Sequence, residues 1–186
     1  MSFKVAIVGV GENARDHARA CRDVPAADLV AICDISAAAL QRFGDEFGIQ
    51  QRFTQLDEML AQQHLDIVII STWGVHHVEV GQAAARSGKV RALLVEKPIS
   101  TTVAEYEQMM AVAREHNVLL VEGYKWRHDP QHLRVKEIID SGRIQMDLPY
   151  DQRSVRDQEF VDQEDLPSRL HVFCDNFNTE VHHFHP

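Results

Sequence analysis

The stretch Val5-Ala6-Ile7-Val8-Gly9-Val10-Gly11-Glu12-Asn13-Ala14, followed by Arg15-Asp16-His17, decides the fold. An apolar run too short for a helix meets G-x-G-x-x-A and passes at once into a segment of helical period, which is a strand, a glycine loop and a helix. Gly9 allows the tight turn, Gly11 lets another molecule approach the backbone, and the small Ala14 permits close packing of helix on strand. The N-terminus of that helix is then aimed at whatever anion lies over the loop.

The same alternation continues outward from this point. Further runs rich in Val, Ile and Leu lie at residues 29–33, 67–70, 92–95 and 118–121, and helical stretches are expected near 14–22, 36–47, 56–63, 77–87 and 103–116. Thr54 with Asp57 and Thr102 with Glu105 mark helix starts as capping boxes, while Gly48 and Gly88 mark helix ends. Strand and helix in strict alternation predict an α/β fold: a doubly wound parallel sheet with right-handed crossovers. A sixth helix is expected from Pro130, a favoured first-turn residue, to Ser141, closed by Gly142 and Arg143. No glycine follows Gly142 in the 186-residue chain, and the remainder shows neither alternation nor a helical stripe, so it reads as a short unassigned C-terminal tail. The expected organisation is a dinucleotide-binding domain over 1–122, a crossover segment and helix over 123–144, and a truncated or divergent tail over 145–186.

Composition narrows the function classes. A net charge of -9 argues against a nucleic-acid or anionic-membrane surface, both of which need clustered positive charge. Three cysteines without CxxC spacing give neither a disulfide framework nor a zinc knuckle, which fits a reducing, cytoplasmic setting. The apolar run at 5–10 is too short for a signal core or a membrane span. His171, His182, His183 and His185 near the end are a conceivable metal cluster, but fortuitous histidines are the better reading, and no metal is expected. Tyr106, Tyr124 and Tyr150 lack a lysine four residues on, no lysine follows the glycine loop as in a Walker motif, and no G-x-S-x-G elbow occurs.

Two further sites carry chemistry. Asp34 ends the second expected strand, 20 residues past Ala14, where a carboxylate accepts from ribose hydroxyls. Together with the loop it points to a dinucleotide, the competing reading being an ordinary turn carboxylate. Asp34 also favours NAD over NADP, because a carboxylate about 4 Å from a 2′-phosphate is repelled by about 4 kcal/mol at an effective dielectric near 20, less after screening. The next residues are Ile35 and Ser36, with no adjacent arginine to offset that repulsion, although Arg42 on the following helix is within swinging range. Lys97, in Val95-Glu96-Lys97-Pro98 after the fifth expected strand, sits at the carboxyl edge where open α/β sheets bind ligands. An ammonium there can hydrogen-bond a reacting hydroxyl and stabilise negative charge.

With these residues in order, the chain resembles the Gfo/Idh/MocA oxidoreductases, the family of glucose-fructose oxidoreductase and inositol dehydrogenase. The resemblance rests on the Gly9 loop with His17, Asp34, Thr72-Trp73-Gly74-Val75-His76-His77, Glu96-Lys97-Pro98 and Tyr124-Lys125-Trp126-Arg127-His128-Asp129-Pro130, and covers roughly residues 4–144. It implies an NAD(P)-dependent oxidoreductase moving a hydride between the cofactor and a sugar or polyol. Lys97 would be the catalytic residue near the nicotinamide; Glu96 would help fix cofactor and lysine; Thr72 and His77 would line the cofactor cleft; Arg127 would join the cofactor-binding set where the chain leaves the sheet. Trp73 and Gly74 replace the family's usual proline or asparagine, two extra residues separate Gly88 from Glu96, and His128 replaces a phenylalanine. Family members continue into a second, open-sheet domain that completes the catalytic set and the sugar pocket, and nothing in 145–186 matches it. A catalytically incomplete dinucleotide-binding module or regulator is therefore the alternative reading. The resemblance leaves an oligomer open for full-length relatives.

Overall fold

The computed structural model describes residues 2–142. These divide after Tyr124 into two compact units. The first is built on one six-stranded sheet in the order β3-β2-β1-β4-β5-β6, every neighbouring pair parallel. In chain order its elements are β1 (Phe3–Val8), α1 (Glu12–Asp23), β2 (Ala27–Cys33), α2 (Ala37–Phe47), β3 (Gln51–Phe53), α3 (Leu56–Gln62), β4 (Ile67–Ile70), a 3-10 turn (Gly74–His76), α4 (His77–Arg86), β5 (Ala92–Glu96), α5 (Val103–Glu115) and β6 (Leu119–Gly123).

The apolar runs form the centre because only a strand covered on both faces can bury every side chain. Val5, Ala6 and Ile7 of β1 and Val68, Ile69 and Ile70 of β4 are wholly buried, and the two strands lie side by side with Val8 opposite Ile70. Each such side chain removed from water contributes about 1.5–3 kcal/mol, which makes this pair the firmest part of the sheet. The chain winds outward from β1 through β2 to β3, then returns to β4 and winds the other way to β6. The direction of winding thus reverses between β1 and β4, and a crevice opens there at the carboxyl ends of the strands.

Local signals account for most helix boundaries. Thr102 caps α5 by accepting from Glu105 N–H while the Glu105 carboxylate accepts from Thr102 N–H, closing the expected capping box. Gly48 ends α2 in the left-handed region. The box expected at Thr54 does not form: α3 starts at Leu56, as expected, but with Gln55 at its cap and no side-chain cap bond. Phe53 is the last residue of a strand that sequence alone did not reveal, and Thr54 is spent in the turn leaving it.

In the second unit, Asp129 accepts from Gln131 N–H and His132 N–H and so caps α6 (Pro130–Asp140), with Pro130 in its first turn. The rings of Trp126 and His132 lie 4.8 Å apart. Among the described residues no helix is long and apolar enough to cross a membrane, and none of the His, Cys, Asp or Glu side chains cluster as a metal site. The tail, with its histidines, lies outside the described residues.

Candidate cofactor and reaction site

In and beside the loops at the carboxyl ends of β1, β2, β4 and β5 lie eight of the residues singled out from sequence, Gly9, Gly11, Ala14, Asp34, Thr72, His77, Glu96 and Lys97. At β1, Gly9 donates to Cys33 O at 2.8 Å and turns the chain with φ +87°. A Cβ built on Gly9 would fall 2.7 Å from the backbone C and O of Ser71 and the N of Thr72, so this glycine is required by the close approach of the loop to the end of β4. Gly11 is different. It caps α1 with ordinary extended geometry, and a Cβ there would meet nothing within 4 Å. No side chain caps α1, which leaves the first N–H groups of a 12-residue helix directed at the space above Gly11. Ala14, wholly buried, lets α1 lie against the sheet. Glu12 adds a negative charge at this helix start; Arg15 lies 3.4 Å from it and is shared with Glu46, so a single guanidinium offsets the two acids only in part.

Asp34 follows β2 and ties the loop down. One carboxylate oxygen accepts from Val10 N–H at 2.9 Å and the other from Ser36 N–H at 2.8 Å. A carboxylate offers about four acceptor sites, so two remain for an outside donor. Ile35 beside it is 94% exposed.

On the other side of the crevice, His77 begins α4 with 1% of its surface exposed. Its Nδ1 lies 2.8 Å from Pro98 O and its Nε2 3.0 Å from Thr72 O. The ring, donating through its N–H to one of these carbonyls and packed against the other, lies between the segment after β4 and the segment after β5, where the Lys97–Pro98 peptide is cis. Thr72 is half-buried and its hydroxyl reaches Trp73 O at 3.4 Å. Ile99 N–H donates to Glu122 at 3.0 Å, a third anchor on the same stretch.

Glu96, the last residue of β5, accepts from His17 of α1 at 2.9 Å, with the two side chains 14% and 9% exposed. It also accepts from Lys97 N–H at 3.2 Å. Burial alone would push the Glu96 carboxyl up, but the His17 hydrogen bond and charge, followed by the N–H and ammonium of Lys97, outweigh it and hold the group below its ordinary value of 4.5. The pair joins the helix of the glycine loop to the strand that ends at Lys97. Lys97 itself is exposed at the sheet edge. Arg127 stands in the second unit, exposed, in the 3-10 turn Lys125–His128.

A depressed carboxyl stabilises the fold only while it is ionised. The contribution of Glu96 is therefore complete above about 4.5 and is lost as pH falls through the lower folded-state value. Glu96→Gln is expected to flatten the acid limb: the advantage of the parent protein in urea midpoint should be present at about pH 6 and shrink towards about pH 3. Parallel pH profiles for the two proteins would show that the His17–Glu96 contact adds nothing to stability.

Sequence reading did not pair His17 with Glu96 and missed Glu122. The available signal was a glutamate closing each of two apolar strands, where an acid is out of place unless something holds it.

These residues suit a dinucleotide. The uncapped helix start and the open space over Gly11 fit a pyrophosphate, and the two remaining acceptor sites of Asp34 fit a ribose diol.

A family model described as "Oxidoreductase family, NAD-binding Rossmann fold", Gfo/Idh/MocA, matches residues 3–124. The chain is 33% identical over 127 residues to a D-apiose dehydrogenase of Paraburkholderia graminis, over 67% of this chain and 33% of that protein. Among solved structures, scyllo-inositol dehydrogenase from Lactobacillus casei with bound NAD(H) and scyllo-inositol is similar at TM-score 0.70 and 27% identity, covering 77% of this chain and 42% of that one. A 3-ketoreductase from Actinomadura kijaniata in complex with TDP-benzene and NADP is similar at TM-score 0.71 and 30% identity, covering 77% and 45%. The chain spans less than half the length of these relatives.

Proposed function

Since this chain belongs to the Gfo/Idh/MocA oxidoreductases, with their NAD-binding Rossmann fold, we propose that it is the cofactor-binding part of an NAD-dependent dehydrogenase acting on a CH–OH group of a sugar or polyol. The observation that carries this reading is the convergence on one crevice of an uncapped helix start over Gly11, the Asp34 carboxylate and Lys97. Bound NAD would supply the hydride acceptor. The start of α1 over Gly11 would hold the pyrophosphate and Asp34 the adenosine ribose, with Gly9 and Ala14 shaping the loop beneath them, while Thr72, His77, Glu96 and Lys97 form the β4–β5 side, where the other half of a dinucleotide lying across the crevice would fall.

The role of each side chain follows from its anchoring. His77 positions the Thr72 and Pro98 carbonyls with respect to each other, and Glu96, gripped by His17, fixes the backbone of Lys97. The Lys97 ammonium then swings only from a fixed base, and it would lower the cost of negative charge on the substrate oxygen. The chain reads as a dinucleotide-binding domain over 1–122 followed by a crossover segment over 123–144. A reducing, cytoplasmic setting is supported by the free thiols of Cys21 and Cys33, both buried, with Cys21 pushed up to about 12 and Cys33 to about 11 by desolvation.

NAD is the expected cofactor. Because both Asp34 oxygens are already held by backbone N–H groups, the carboxylate cannot turn away from a 2′-phosphate. Calorimetric titration at matched salt should give an affinity for NAD at least about tenfold above that for NADP, a difference of about 1.4 kcal/mol. Equal affinities would remove Asp34 from the cofactor choice. The reaction is tested by NADH formation across a panel of inositols, pentoses and hexoses, comparing the chain with its Lys97→Ala variant. Turnover undiminished in the variant would take the chemistry away from Lys97.

A further inference from the structure

Glu122 closes an otherwise apolar run. It follows Leu119-Leu120-Val121 in β6 and is half-buried, where a carboxylate costs free energy unless a donor meets it. The donor comes from another strand's end: Ile99 N–H, 23 residues back in the segment that leaves β5, donates to Glu122 Oε1 at 3.0 Å. The backbone that carries this carboxylate is itself held. β6 runs parallel to β5 with Glu122 opposite Val95 and Gly123 opposite Glu96, and Tyr124 N–H donates to Glu122 O at 2.7 Å. A Cβ on Gly123 would lie 3.3 Å from Val95 O and 3.5 Å from Glu96 Cα, so the two strand ends lie closer than a side chain there comfortably allows.

Between Lys97 and Ile99 the backbone offers few donors. Lys97 N–H is taken by the Glu96 carboxylate at 3.2 Å, and Pro98 has no N–H. Ile99 N–H is therefore the next donor after the lysine, and Glu122 takes it. Pro98 O, between the two, lies 2.8 Å from Nδ1 of the buried His77. The backbone on both sides of the Lys97 side chain is thus tied to glutamates at the ends of neighbouring strands. Lys97 is exposed, and its ammonium rides on a flexible stem, so where that charge can reach depends on where its backbone is fixed. We propose that Glu122 is a positioning residue for Lys97: by accepting from Ile99 N–H it fixes the downstream half of the Lys97–Ile99 segment and so sets the reach of the ammonium towards the cofactor. The inference rests on the dinucleotide reading above and adds to it a residue that acts through the backbone. What the position requires is an acceptor oxygen, which an amide supplies as well as a carboxylate does.

The amines of Lys4, Lys89, Lys97, Lys125 and Lys136 are dimethylated with isotope-labelled methyl groups, which keeps their charge, and the Lys97 magnetic-resonance signal is assigned by its loss in Lys97→Arg. NAD is titrated into the full chain, Glu122→Val and Glu122→Gln, with affinity read by calorimetry and amide exchange followed at Ile99. In the parent, NAD should move the Lys97 signal, and the Ile99 amide should exchange about a hundredfold or more slower than an open peptide amide. Glu122→Val suits a strand but offers no acceptor, and should lose that protection and most of the Lys97 shift. Its NAD affinity should stay within about twofold of the parent's, because the glycine loop and Asp34 are untouched. Glu122→Gln should restore both the protection and the shift. A glutamate that serves only the fold would lower the melting temperature when replaced and leave the Lys97 shift as it is in the parent. An unprotected Ile99 amide in the parent, a full Lys97 shift in folded Glu122→Val, or NAD binding by the parent without movement of the Lys97 signal overturns this inference and leaves the dinucleotide reading standing. If Glu122→Val does not fold, a protected Ile99 amide and a full Lys97 shift in Glu122→Gln support the inference, and loss of either overturns it. Absence of NAD binding by the parent overturns both.

Discussion

Gly11→Val is expected to abolish NAD binding while leaving the fold intact. The backbone at Gly11 has φ -73° and ψ -166°, a conformation that valine adopts readily, and a Cβ there meets nothing within 4 Å. The fold therefore gives no steric reason for a glycine at this position. Its cost to the protein should be small: as a helix cap, valine is worse than glycine by about 1 kcal/mol or less, and no side-chain cap bond is lost. The space over Gly11 is also where the N–H groups of α1 point, and a branched side chain standing in it keeps a pyrophosphate from reaching them. Affinity should fall by about a hundredfold or more, equivalent to about 2.7 kcal/mol, with Gly11→Ala in between. Calorimetry measures the loss, and circular dichroism with a thermal melt establishes that the variant is folded. A folded variant that binds NAD as the parent does would reduce the loop to a turn between strand and helix.

The contrast between Gly9 and Gly11 also marks how much was legible in the sequence. G-x-G-x-x-A and an acid 20 residues on identify the loop and its partner strand, because those positions are set by local backbone geometry. The apolar runs locate β1, β2, β4, β5 and β6, since strands covered on both faces need unbroken hydrophobic sequence. β3 was hidden. Gln51-Arg52-Phe53 is an edge strand of three residues with a single buried side chain, and no periodicity can be read from so short a segment. The partners of Glu96 were hidden for another reason. His17 and Glu96 are 79 residues apart and meet only because the fold brings one side chain of α1 to the last residue of β5, a fact of tertiary structure that no local pattern encodes. His77 was placed in the cleft by resemblance, but its function as a clasp between two carbonyl groups emerges only with the cleft assembled.

Gly9→Ala should have the larger effect on the fold. Two costs coincide at this position. An L-residue held at φ +87° is strained by about 1–2 kcal/mol. In addition, the new Cβ would lie 2.7 Å from three backbone atoms of Ser71 and Thr72, none of which can yield as a flexible side chain does. Relief requires β1 to part from β4 next to the Val8–Ile70 pair, in the most completely buried region of the sheet, and such overpacking costs about 1–3 kcal/mol. The sum, about 2–5 kcal/mol, is a large share of the roughly 5–15 kcal/mol that holds a domain together. In a thermal melt it should appear as a fall in Tm on the order of ten degrees, whereas Gly11→Ala should melt close to the parent. NAD binding should weaken in both variants, so the melt is what separates them: Gly9 acts through the fold and Gly11 through the ligand. A Gly9→Ala protein melting with the parent would mean that the loop can withdraw from Ser71 at little cost, and that the mouth of the crevice is set by something other than this contact.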